Sequence, residues 1–437
     1  MTTITVDDVL DRAGAGAYQR RLLAIFGLVW TADAMQVLAV GFTAASIAAT
    51  FDLTVPQALQ TGTLFFFGML LGAAGFGRLA DRIGRRRVLI VTVACDALFG
   101  TLSVFAPDFT ILLVLRFLTG VAVGGTLPVD YAMMAEFLPA RNRGRWLVML
   151  EGFWAVGTLL VALVAWAVSL AGMADGWRYI FAATAIPALL GIGLRFLVPE
   201  SPLYLLRLGK IREAKAVLDG ILVANGKTPL VADASLVSLP STGRSGIFGA
   251  DLRQRSLMIL IIWFLVSVSY YGVFTWLPPR LAGEGFGFVR GYGFLVFLAL
   301  AQIPGYALAA YGVEKWGRRP TLTGFCLLSA LGCLLFVVAG TGTLIGASLM
   351  LMSFALLGTW GALYAFTPEL YPTASRATGM GTAGAVARLG GLLAPSLTGL
   401  VVEQSFGLAI GIFAGLLVAA AVAALLIDAE TRQASLA

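Results

Sequence analysis

Two motifs recur in this chain at one spacing. Ala80-Asp81-Arg82-Ile83-Gly84-Arg85-Arg86-Arg87 returns, altered, as Val313-Glu314-Lys315-Trp316-Gly317-Arg318-Arg319, an offset of 233 residues (residue 80 to residue 313). Glu136-Phe137-Leu138-Pro139, closed by Arg143, returns as Glu369-Leu370-Tyr371-Pro372, closed by Arg376, and residues 136 and 369 are again 233 apart. Two motifs sharing one offset make the chain a duplicated object. Both lie between long apolar runs, so the duplicated unit is a membrane unit, and a ligand site is expected between the halves near mid-bilayer.

Composition supports that reading. Of 437 residues, 59% are hydrophobic and 12% charged, against about 25% charged in a soluble domain. Runs of about 20 apolar residues are long enough to cross the hydrocarbon core. Such runs fall near 22–48, 59–79, 88–106, 110–134, 146–170 and 178–198, then 256–277, 291–312, 320–340, 344–366, 377–401 and 408–427. The expected fold is therefore an all-α membrane protein with twelve transmembrane helices in two homologous six-helix halves, 1–198 and 256–437. The intervening 199–255 reads as a connector: a Pro-Glu-Ser-Pro start, a short amphipathic helix over Ile211–Leu222, then a polar tract from Asn225 to Ser245.

Arginine and lysine collect in alternate loops: Arg20 and Arg21, Arg82 to Arg87, Arg141 to Arg145, the connector, and Lys315 to Arg319. The other set holds only Arg178, Arg280 and Arg290. The positive-inside rule places both termini and the connector in the cytoplasm of a cell whose plasma membrane this multi-pass chain crosses. Topology thus accounts for the net charge of +7, and no nucleic-acid partner is expected. The first span is too long, and lacks the small-residue cleavage site, for a removable signal. Cys95, Cys326 and Cys333 lie in spans with no disulfide or metal-ligand spacing, so neither metal nor cofactor is expected. Histidine is absent, so proton coupling would fall to carboxylates.

The loop motifs have a direct physical reading. Asp81 lies near helix starts, whose partial positive charge and free amides attract a carboxylate. Gly77 and Gly84 permit close approach and a tight turn. With Arg82, Arg85, Glu136 and Arg143, and with Glu314, Arg318, Glu369 and Arg376 in the second half, they form an acid–base cluster able to latch helix ends together. A plain topology signal is the competing explanation.

The chemistry is sought in charges within spans, which are costly there and usually face the bundle interior. These are Asp33, Asp96, Arg116, Asp130, Glu151 and Arg388. Asp33 and Arg388 each lie about 16 Å along their spans, near the midplane. Arg116 and Asp130 are about 21 Å apart on one helix and cannot pair. Glu151 falls a turn or two inside its span and is grouped with Glu136 and Arg143. Asp96 has a bland alternative as a carboxyl hydrogen-bonded to a neighbouring helix, and Asp130 as the structural partner of a loop arginine. Trp30, Tyr270, Tyr271, Phe274, Trp360 and Tyr364 are candidates to line a cavity, with packing as the alternative for each.

The loop Gly77-Arg78-Leu79-Ala80-Asp81-Arg82-Ile83-Gly84-Arg85-Arg86 resembles the signature loop of the major facilitator superfamily. Arg116-Phe117-Leu118-Thr119-Gly120, with Gly124 and Gly125, resembles its fourth-helix motif, and Pro199-Glu200-Ser201-Pro202 is similar to the sugar-porter branch and its organic-ion relatives. Thr31-Ala32-Asp33-Ala34-Met35, Leu127-Pro128-Val129-Asp130, Leu150-Glu151-Gly152-Phe153-Trp154, Tyr270 to Pro278 and Thr367 to Pro372 resemble bacterial niacin transporters and synaptic-vesicle glycoproteins. One departure is Met35-Gln36, where many relatives carry an acid after the methionine.

The resemblance implies a monomeric secondary transporter working by alternating access, not an enzyme. It implies a small organic anion as substrate, nicotinate foremost, held by Arg388 among aromatic rings. A coupled proton would be carried by Asp33, Asp130 or Glu151, and the likeness of Arg116 to the sugar-porter arginine nominates Asp33 as its partner. The rivals are a sugar, an organic cation, or a non-transporting transporter-like receptor. A sugar site would want several Asn and Gln in the spans, where Gln36 and Gln302 are nearly alone, and a cation site an unpaired acid in the second half.

Overall fold

A computed structural model describes residues 3–230, 235–237, 246–283, 292–402 and 406–434; side chains at 3 and 235, from 274 to 293, at 295 and from 395 to 406 lie outside the description. A backbone in hydrocarbon must satisfy its own hydrogen bonds, so the apolar runs can only be helices. After β1 (Thr3–Thr5) and α1 (Val6–Ala13), the first half comprises α2 (Ala17–Thr50), the single turn α3 (Val55–Ala58), α4 (Gln60–Ile83), α5 (Arg85–Val104), α6 (Phe109–Ala135), α7 (Arg143–Glu151), α8 (Phe153–Leu170) and α9 (Gly176–Arg195). The connector contributes α10 (Pro202–Arg207), α11 (Ile211–Ala224) and β2 (Ser235–Val237). The second half comprises α12 (Arg253–Gly283), α13 (Tyr292–Lys315), α14 (Arg318–Val337), α15 (Gly342–Phe366), α16 (Arg376–Val402) and α17 (Phe406–Leu426).

Among the described residues, eleven helical segments are long and apolar enough to cross a bilayer, with α7 and α8 together forming one. The 27-residue α16, which carries Arg388, completes the expected set. Large apolar side chains face outward along the spans, with Leu98, Leu190, Leu334 and Leu426 each half or more exposed, as lipid contact requires.

The duplication is visible in packing. A Cβ built on Gly72 of α4 would stand 2.0 Å from the carbonyl oxygen of Val121 on α6, and one on Gly305 of α13 would stand 2.2 Å from that of Phe354 on α15. Both members of the second contact lie 233 residues beyond those of the first (72 to 305, 121 to 354). In each half, one glycine lets two backbones touch, the small-residue mode of packing in membranes.

The connector departs from the expected loose tether. Its amphipathic helix is two residues longer than expected, and Leu203, Tyr204, Leu218, Ile221 and Leu222 are buried. α11 packs against α1, and β1 pairs in parallel with β2. The pattern of α11 did signal one buried stripe; its partner α1, an eight-residue amphipathic helix with a Thr5–Asp8 capping box, was not read from the sequence.

Candidate functional site

Between the halves lies a narrow cavity of about 20 Å³, lined by Glu151 and Trp154 from the first half and by Tyr270, Tyr271, Leu357, Trp360, Tyr364 and Arg388 from the second. That is far below the roughly 300–1,000 Å³ of small-ligand pockets, so a ligand is admitted only when the lining side chains part. Arg388 is 4% exposed and donates to the Tyr271 hydroxyl at 2.7 Å; Tyr364 also accepts from it. Among the described residues no carboxylate lies within salt-bridge distance of it. A buried guanidinium held by phenols alone retains free donors in a planar fork.

The aromatic residues form two layers. Tyr270, Tyr271, Trp360 and Tyr364 face the cavity. Trp30, expected at the cavity, stands behind it, fully buried and edge-on to Tyr131 and Tyr364 with ring centroids 5.0 and 5.3 Å away. Trp263, not singled out in the sequence, supports the other side at 4.6 Å from Tyr364 and 5.4 Å from Trp360. Its indole donates to Thr367 at 2.9 Å, which fixes the ring. The Phe274 side chain lies outside the described residues.

Glu151 requires a correction. It does not join Glu136 and Arg143. Its carboxylate accepts from the Tyr131 hydroxyl at 2.8 Å and lies 3.5 Å from that of Tyr306, in the wall of the cavity. The helix begins at Arg143, earlier than expected, so Glu151 is about 12 Å along it.

Arg116 also has a partner other than the expected Asp33. Its guanidinium donates to Gln36 Oε1 at 2.7 Å and to the Gln36 carbonyl at 3.0 Å, between the rings of Phe65 and Phe181, each 4.6 Å away. Gln36 is one helical turn beyond Asp33 and so shares its face of α2. Asp96 supplies the nearby negative charge. Asp33 is fully buried with no hydrogen-bond partner on either carboxyl oxygen. Asp130 forms a buried ion pair with Arg195, the last residue of α9, whose guanidinium lies 4.3 Å from the Phe26 ring. Arg195 escaped notice because a helix-end arginine looks like a topology signal.

At the arginine-rich end the two halves are closed on each other. Asp81 accepts from the backbone amide and hydroxyl of Thr378, both at 2.7 Å, in the first turn of α16. It also pairs with Arg85 at 3.1 Å. Arg85 reaches Glu136 at 3.3 Å and the Thr373 carbonyl at 2.6 Å, and Arg376 returns to Glu136 at 2.6 Å. In the second half Arg318 pairs with Glu314 at 3.2 Å and Glu369 at 2.9 Å, while Glu314 accepts from the Arg145 amide across the interface at 2.9 Å. Arg143 pairs with Asp7 at 2.8 Å and donates to the Ala434 carbonyl at 2.9 Å. Arg82 departs from its expected place: its side chain is exposed, and only its carbonyl is engaged, by the Tyr204 hydroxyl at 3.0 Å.

A third repeat escaped the sequence reading. Glu200 accepts from the amides of Arg85 and Arg86, and Glu430 from those of Arg318 and Arg319. Next in each pair, Ser201 donates to Glu136 and Thr431 to Glu369. Gly84 and Gly317, at φ +105° and +108°, leave room for these acids. The offset here is 230 (residue 200 to residue 430), three short of the 233 that the loop motifs share. Burial raises the Glu200 carboxyl above its ordinary range, opposed by the Ser201 amide and the Arg85 charge.

The closed end rests on close backbone approach. A Cβ on Gly77 would stand 2.6 Å from the Ala377 carbonyl of α16. Gly77→Val is therefore expected to hold this end apart. Labelling of a cysteine placed at the buried Met380 by a water-soluble thiol reagent should rise at least about fivefold, the scale of a modest population shift. Unchanged labelling would mean that the contact yields without opening.

The sugar (and other) transporter family matches residues 23–437. The chain is 36% identical over 424 residues to the niacin transporter NiaP of Acinetobacter baylyi, covering 95% of each protein. It is 35% identical to a Bacillus subtilis protein with the provisional name niacin/nicotinamide transporter, covering 96% of this chain and 98% of that one. The proton:xylose symporter XylE, solved with 6-bromo-6-deoxy-D-glucose, superposes with a TM-score of 0.82 at 21% identity, over 96% of this chain and 98% of the other. With its duplicated halves, inter-half cavity and latched end, the chain has the major facilitator fold and belongs to the sugar (and other) transporter family, as a membrane transporter rather than an enzyme.

Proposed function

We propose that this transporter carries a small aromatic carboxylate, nicotinate before others, together with a proton, by alternating access. The observation that carries the reading is Arg388: buried, bonded to phenols, free of any carboxylate partner among the described residues, and walled by rings. A guanidinium fork matches a carboxylate with two hydrogen bonds, and the tyrosine and tryptophan faces offer a heteroaromatic ring a stacking surface. The likeness to niacin transporters supports the same substrate. In this reading the arginine-rich end is cytoplasmic, as are both termini, and the protein acts as a monomer in the plasma membrane.

Asp33 is the proposed carrier of the coupled proton. An ionised carboxylate is expensive in a buried site without a partner, so a group in that setting changes protonation when its surroundings change. Asp130 is less suited, since Arg195 already holds it, and Arg116 with Gln36 and Asp96 frames the first-half cluster.

A second reading comes from Glu151, an acid in the cavity wall, which would also suit an organic cation. Uptake into proteoliposomes separates them. Nicotinate should be accumulated at least about tenfold better than nicotinamide, which lacks the charge to pair with Arg388. Equal uptake of the two, or uptake of a quaternary amine or hexose alone, would overturn the anion reading.

A further inference from the structure

We propose that Glu151 makes anion binding proton-linked: Arg388 holds a carboxylate ligand in this cavity only while Glu151 is in its carboxylic acid form. This rests on the carboxylate reading above and adds a second proton-binding group, distinct from Asp33, that acts at the binding step.

The argument begins with charge. The cavity wall contains one base, Arg388, and one acid, Glu151, 4% and 3% exposed. They come from opposite halves and make no direct ion pair, so in the empty cavity an ionised Glu151 is offset only by Arg388 across the gap. An entering carboxylate takes Arg388 at contact distance. That leaves two negative charges facing one positive charge in a narrow buried space. Like charges sharing a dry site cannot both stay ionised cheaply.

The surroundings offer no other remedy. Glu151 faces the hydroxyls of Tyr131 on α6 and Tyr306 on α13, with Tyr270 and Tyr271 on α12, Tyr364 on α15 and Arg388 on α16 near it. Five of these are phenols, and Arg388 is the group the ligand takes. A phenol oxygen can accept as well as donate, so Tyr131 and Tyr306 remain partners when Glu151 gains a proton. The step is one proton moving from water to the Glu151 carboxylate as the anion enters, with no other bond made or broken.

Asp33 does not line this cavity but lies close enough to feel the charge of Arg388, so the two acids are told apart by single replacements. The test uses the full chain in lipid nanodiscs, with radiolabelled nicotinate and benzoate as probes. At about pH 9 the wild type should take up about one proton per nicotinate bound, and its affinity should fall about tenfold per pH unit once Glu151 ionises. Glu151→Gln should bind nicotinate without proton uptake and with a flat profile from about pH 6 to about pH 9, ending about 10- to 100-fold tighter than the wild type at the alkaline limit. Asp33→Asn should still take up the proton on binding. A wild type that binds without proton uptake, loss of that uptake in Asp33→Asn, or its persistence in Glu151→Gln overturns the inference while leaving the carboxylate reading in place. The first two measurements decide the matter even where Glu151→Gln does not fold. Binding of neither probe to the wild type overturns the carboxylate reading and the inference with it.

Discussion

Replacing Arg388 with lysine should lower nicotinate uptake by roughly 30- to 1,000-fold, the loss of about 2–4 kcal/mol expected when a buried charged contact is spoiled. The substitution keeps the charge, so a smaller effect would follow if charge alone mattered. Arg388 is held from one side by Tyr271 and Tyr364, and its planar fork leaves further donors for a ligand. An ammonium has three donors on one nitrogen at the end of a shorter group, and cannot serve both phenols and a carboxylate in that geometry. Initial rates across a nicotinate series, measured on protein that elutes as a single species from detergent, give the test. An unchanged apparent KM would make Arg388 a structural residue and remove the main physical support for an anionic substrate.

Asp33→Asn should abolish accumulation of nicotinate against its gradient, while exchange between two loaded sides persists. The side chain is fully buried without a partner, and asparagine is close in shape to the neutral acid, so the fold should tolerate it. What it removes is the ability to lose a proton when the halves rock. The expected phenotype is a carrier that equilibrates substrate and cannot concentrate it, with uphill uptake lowered at least about a hundredfold, the scale on which a lost driving force of about 3 kcal/mol reads out. Counterflow and gradient-driven uptake in the same proteoliposomes separate the two functions. If Asp33→Asn still accumulates substrate while Asp130→Asn does not, the coupling site moves to α6 and its partner Arg195.

The sequence made the architecture legible because the repeat and the hydrophobic runs are enforced by lipid at every turn. Residues of the closed end were readable for a similar reason: Asp81, Glu136, Arg143 and their counterparts sit at or beside helix ends, where charge next to an apolar run is conspicuous. The cavity was harder. Arg388 stood out as a lone base near mid-span, yet Trp30 and Trp263 differ only in which side of a helix they occupy, and composition does not encode the rotation of a helix against its neighbours. Glu151 was misplaced because a helix start estimated three residues late shifts a group from the bundle's middle toward its end. The choice of Gln36 over Asp33 by Arg116 depends on one helical turn, finer than sequence spacing resolves. The Glu200–Glu430 correspondence was lost to a three-residue change of offset.

The two seams between the halves differ in what water can do for them. At the arginine-rich end the contacts are carboxylates, guanidiniums and backbone groups: Asp81 to Thr378, Arg376 to Glu136, Arg145 to Glu314, Arg143 to Ala434. Each of these finds a substitute partner when solvent enters, so parting them exchanges one set of hydrogen bonds for another. Deeper in, the halves meet through rings, with Trp30 against Tyr364 at 5.3 Å and Phe66 against Tyr271 at 5.1 Å, and water gives those faces nothing in return. The arginine-rich seam therefore behaves as a hydration-controlled closure and the ring-lined one as an oil seal. Ionic strength on the arginine-rich side should shift how often the first opens, whereas only a ligand that covers the rings can stand in for the second.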